Sequence, residues 1–250
     1  MGNLRSSRRP ARLGALVCFA VLFHGFERAE AVCPPPRSPS SSGSDPYRYS
    51  LSLAESFAHA KAGLEKAPPT APGSNPGTAP ELTALASRLS AASEDYKCAA
   101  ALVAPYAKSS DQSVALSAQA ATVTYGALIQ LDDQKRQMIQ SVLDGRLTRA
   151  ILAERLNRRL PQVEETWRTL ISATVMGTFA LVVPPAQEDA QVSRLRISGQ
   201  QRKEIADRLD REFGSVVKEP SKRGEAPLVG AARLLYGFVT NNDWQSSDAP

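Results

Sequence analysis

The chain has 250 residues, with 30 Lys and Arg against 25 Asp and Glu, and a formal net charge of +5. Five of the arginines and two of the glutamates fall within residues 1–31, so the remainder holds 25 basic and 23 acidic residues, close to balance. A nucleic-acid protein gathers cations on a working face to displace counterions from phosphates. A charge excess confined to the N-terminus argues against a nucleic-acid partner and leaves room for local basic patches.

Residues 1–12 are rich in Arg, residues 13–26 (LGALVCFAVLFHGF) are mostly apolar, and Ala29-Glu30-Ala31 puts small residues at the two positions a signal peptidase reads. This three-part layout predicts a signal peptide over residues 1–31 with cleavage after Ala31. The apolar run is short for a ~30 Å hydrocarbon core and carries His24. The expected localisation is therefore exported, periplasmic or secreted, with membrane contact only transient, through the leader. The alternative is an inner-membrane anchor formed by an uncleaved leader.

Export decides how the cysteines read. Cys18 departs with the leader, while Cys33 and Cys98 remain in an oxidising compartment, where a single bridge between them is the simplest outcome. Two unpaired thiols, or an intermolecular link through Cys33, are the other outcomes.

Residues 32–46 read as a disordered Pro/Ser linker. A first helix is expected from Tyr47 to Lys66, with Leu53, Phe57, Ala60 and Leu64 on one stripe. A Pro-rich loop follows over residues 67–80. The second helix, Pro80 to Ala104, carries Leu82, Leu85, Leu89, Ala92, Tyr96, Ala99 and Val103 at unbroken three-four spacing, a heptad seam that Pro105 ends. The third begins near Asp111, an N-cap residue, and runs Val114, Ala118, Ala121, Tyr125 and Leu128 along a matching seam until Gly145. Alanines on both seams predict a close antiparallel hairpin.

A fourth helix is expected from Thr148 to Leu160, broken or kinked by Pro161, and a fifth from Gln162 to Val183. Its second half, Leu170 to Val183, is apolar nearly all round and reads as the central helix of a bundle. Residues 184–198 read as a linker. A sixth helix (Gly199 to Phe213) and a seventh (Leu228 to Thr240) precede a polar tail containing Trp244. No window alternates apolar and polar residues as a strand would. The fold class is therefore all-α: an irregular bundle of six or seven helices, with its core over residues 47–183 and a C-terminal helical pair and tail over 199–250.

The chemistry-bearing residue types are sparse. Behind the leader His59 is the one histidine, and it sits one position off the stripe of the first helix, as a half-buried or surface residue would. There is no His-x-x-x-His, Cys-x-x-Cys or Glu-x-x-His spacing for a metal, no Gly-x-Ser-x-Gly elbow and no Gly-rich phosphate loop. No cofactor and no metal site is expected. Acidic doublets occur at Glu94-Asp95, Asp132-Asp133, Glu164-Glu165 and Glu188-Asp189, but adjacent carboxylates on a helix point about 100° apart.

The run Ile197-Ser198-Gly199-Gln200-Gln201 resembles the Leu-Thr-x-x-Gln signature of small helical envelope-stress chaperones. It departs at the first two positions and occurs once where that family has two copies. A Ser N-cap explains it as well, and no family is assigned on it.

Trp167 is expected in the core. Tyr236, Phe238 and Trp244 gather near the C-terminus as the candidate partner-contact residues. The functional expectation is an exported, non-enzymatic helical protein acting as a protein-binding or scaffold module, with an unidentified protein partner. The alternatives are a small-molecule binder within the bundle and a carboxylate-dependent hydrolase of envelope polymers.

Overall fold

Side-chain caps fix where the helices begin. In a computed structural model, which describes residues 33–39, 45–67, 76–183, 194–222 and 224–241, the Asp111 carboxylate accepts from the amides of Ser113 and Val114 at 3.0 and 3.2 Å and starts α3 (Gln112–Leu143). Thr148 accepts from the Ile151 amide at the head of α4 (Arg149–Phe179). Ser198 and Gln201 form a reciprocal capping box at α5 (Gly199–Phe213), which supplies the N-cap expected of that serine. The other helices are α1 (Asp45–Lys66), α2 (Ala79–Val103) and α6 (Pro227–Thr240). Short 3₁₀ turns follow α2 and α5. Gly145, at φ +73°, lets the chain turn between α3 and α4 at no steric cost.

The architecture is all-α, with six α-helices among the described residues. The heptad residues behave as their spacing predicts. Leu82, Leu89, Ala92, Tyr96, Ala99 and Val103 on α2 are buried, with Leu85 half-buried against the core, and Val114, Ala118, Ala121, Tyr125 and Leu128 on α3 are buried too. Helices α1 to α4 pack each against the next in alternating directions: Tyr49 meets Tyr106 while Gly63 meets Tyr96, and Thr124 bonds Thr169 while Gln134 bonds Arg159. The C-terminal pair closes one side, α5 against α1 and α6 against α4.

Three expectations are corrected. First, Pro161 does not divide two helices; α4 is continuous through it. Proline removes one amide donor and crowds the carbonyl one turn back. Here Pro161 and Asn157 are both exposed, where water can serve that carbonyl, and Leu152, Val163, Trp167 and Leu170 are buried on either side of the proline. Second, the central helix is α1, not the end of α4. Alpha1 touches every other helix and is buried on nearly all sides despite its polar composition, whereas Phe179 is 65% exposed. Third, residues 194–197 are not free linker: Arg194–Leu195 pair antiparallel with Val182–Val183, and Leu195 and Ile197 are buried.

Candidate functional site

A polar central helix needs partners for its buried groups, and α1 finds them on its neighbours. The Tyr49 hydroxyl donates to Ser117 Oγ at 2.5 Å, and Ser117 donates in turn to the Ala173 carbonyl, joining α1, α3 and α4. Gly177 is required there, because a Cβ would lie 3.0 Å from Ser117 Oγ and 3.1 Å from Tyr49 Cε1. Ser56 shares a hydrogen bond with the Tyr125 hydroxyl at 2.9 Å. Glu55 is buried and accepts two bonds from the Arg37 guanidinium, with Arg208 of α5 3.5 Å away. That ion pair raises the affinity of Arg37 for its proton.

Arg37 belongs to the segment 33–39, which is thereby clamped onto α1. Cys33, at the start of this segment, is joined to Cys98 of α2 with an S–S separation of 2.10 Å, across 65 positions of sequence. The chain therefore leaves the expected cleavage point and is fastened to two helices within seven residues.

His59, expected to be half-buried or at the surface, is more deeply buried than either, because residues outside the stripe on α1 are covered by α5. Burial lowers its proton affinity, partly offset by the nearby Asp95.

Between α1, α2, α3 and α4 lies a small cavity of about 20 Å³ walled by Leu128, Leu156, Val163, Tyr96, Asp132 and Trp167. The Trp167 and Tyr96 rings meet edge to face at 5.8 Å, and the indole N–H has no hydrogen-bond acceptor. This space suits one water, since drug-sized ligands need several hundred Å³. Burial raises the Asp132 pKa, against the pull of Lys135 at 2.8 Å.

The other carboxylates of the described doublets also have basic partners. Glu94 pairs with Lys97, Asp95 with Lys66, Asp133 with Arg136, and Glu164 and Glu165 with Arg168. Among the described residues no three His, Cys, Asp or Glu side chains gather into a metal-sized group. Glu188-Asp189 lies outside the described residues.

Two surface features stand out that residue-by-residue reading of the sequence missed. The first is the outer face of α3. Leu116 is 46% and Val123 71% exposed, and Ala120 and Ala127 complete a four-three-four stripe with them. From Gln112 to Leu131 the helix carries no charge at all. By length and composition it could cross a membrane, at a mean hydropathy of 1.2 over 18 residues, yet only 39% of that window is buried in the fold. A second heptad-like spacing at 116, 120, 123 and 127 was the available signal. The second feature is an open groove of about 530 Å³ where α3 turns into α4, lined by Arg146, Arg155, Arg158 and Arg159 with Gln134, Gln137, Ser141, Met138 and Leu147.

Of the residues expected to contact a partner, Tyr236 and Phe238 are half-buried and pack against the core, while Trp244 lies outside the described residues. The molecule so described is an all-α bundle with a polar network at its core that leaves a few buried groups, Trp167 Nε1 among them, without a partner, one uncharged outer helix face and one basic groove. No protein-family model, no curated protein and no solved structure matches this chain.

Proposed function

We propose that this is an exported, non-enzymatic helical module of the cell envelope or secreted space, acting by contact with a protein partner through the outer face of α3. The observation that carries this reading is the uncharged stripe of Leu116, Ala120, Val123 and Ala127. Apolar residues at heptad spacing, with Leu116 and Val123 exposed and Ala120 and Ala127 half-buried between them, reproduce the pattern that α2 and α3 use to meet each other inside the bundle. Soluble helices ordinarily dress such a face with Lys and Glu. Here the flanking positions are Ser113, Gln119 and Gln130, whose desolvation under a second helix costs less than that of a charged side chain.

The leader over residues 1–31 and the near-neutral remainder support export and a protein rather than nucleic-acid partner. The pairing of each described carboxylate doublet with basic neighbours, and an internal cavity of one-water size, favour contact over hydrolysis or ligand carriage.

The test is a photo-crosslinking amino acid placed at position 123 in the producing cell, with position 88 on α2 as the control. The reading expects a discrete crosslinked species from 123, absent from 88 and abolished when Leu116 is replaced by Glu. Equal crosslinking from both positions, or none from 123, overturns it.

A further inference from the structure

The α3–α4 groove differs in kind from the α3 face. Every polar side chain lining it is a hydrogen-bond donor, and none is a carboxylate. Arg146 pairs with Asp144 and Arg158 with Glu154, two exposed acids that are not among the lining residues. Arg155 makes no ion pair with any described residue. Arg159 is held by the side-chain oxygen of Gln134 across the two helices. Met138 and Leu147 add apolar surface between the cations.

We propose that this groove is a binding site for a ligand carrying two or more phosphate groups. With Arg146 and Arg158 each paired to one acid, the four guanidinium groups around an open groove of about 530 Å³ keep two positive charges in excess, those of Arg155 and Arg159. Guanidinium forks match phosphate oxygens in a bidentate way. The apolar surface of Met138 and Leu147 fits a sugar or glycerol unit joining two phosphates. The site is distinct from the α3 face, and each can fail without the other.

The purified protein is titrated with three probes: pyrophosphate, vesicles of cardiolipin in phosphatidylcholine, and polyglutamate. Wild type is compared with Arg155→Gln/Arg158→Gln and with Arg168→Gln, which lies on the same helix outside the groove. The expected result is binding of pyrophosphate, of the vesicles, or of both, weakened roughly 30-fold by the double change, the effect of two cationic side chains beside an anionic surface. Arg168→Gln leaves it within twofold. Pyrophosphate binding identifies free phosphates as the ligand form, and vesicle binding alone identifies a lipid headgroup. Polyglutamate binding as strong as either phosphate probe overturns the phosphate assignment. Absence of binding, or loss of equal size in Arg168→Gln, overturns the site. All three arginines are exposed, so circular dichroism of the variants should match wild type.

Discussion

Replacing both Cys33 and Cys98 by Ser tests the fastening of the N-terminal segment. The bridge closes a loop across 65 positions. In the chain-entropy relation a loop of that length restricts the unfolded state by about 4.3 kcal/mol at 25 °C. The loop encloses α1, the helix on which the whole bundle is built, so the restriction acts on the segment with most to lose on unfolding. For a domain of 150–250 residues this corresponds to a fall in Tm of roughly 8–16 °C. Both cysteines are changed together, because one remaining thiol could form intermolecular links. Urea unfolding followed by circular dichroism should give a lower midpoint for the variant, coincident with that of reduced wild type. Intact mass should rise by two hydrogen atoms on reduction of the wild type. The reasoning fails if oxidised wild type, reduced wild type and variant unfold together, or if non-reduced protein alkylates at both positions.

Glu55→Ala should cost about 2–3 kcal/mol, because Arg208 and Arg37 lose their common partner while keeping partial access to water; chemical denaturation checks this, and a loss below about 0.5 kcal/mol would show the clamp to be inert. Pro161→Ala should stabilise, by up to about 3 kcal/mol, since it restores a donor within a continuous helix; an unchanged or lower urea midpoint refutes it. Gly177→Val should destabilise by about 1–3 kcal/mol through its crowding of Tyr49 and Ser117, and should do so less when Ser117 is also Ala. For His59, the folded pKa lies below the unfolded value, so the unfolded state binds the extra proton between the two. Its contribution is present above about pH 6.5 and is lost as pH falls through that window. His59→Gln should flatten the stability profile there, and an unaltered slope contradicts the assignment.

How much of this was legible in the sequence depends on what each residue reports. Seams of α2 and α3 were readable because large apolar side chains at three-four spacing gather on one face of a helix, which burial then favours. The identity of the central helix was not, because α1 is covered through Tyr49, Ser56 and Glu55, whose partners Ser117, Tyr125, Arg37 and Arg208 lie far away in the chain. Pro161 misled because its cost depends on exposure, which spacing does not reveal. Of the two surface features, the α3 stripe was masked by the stronger seam on the opposite side of the same helix. The arginine groove arises only when the end of α3 folds back beside α4, which brings Gln134 to Arg159.

Alanine-rich seams alone resemble smooth rails: one helix could slide along another by a turn and still bury methyl groups. Alpha1 prevents this for α3, since a one-turn slip of that helix would separate Tyr49 from Ser117 and Ser56 from Tyr125 at the same moment. The polar axle thus works like the wards of a key, admitting a single register among many that greasy contacts would tolerate.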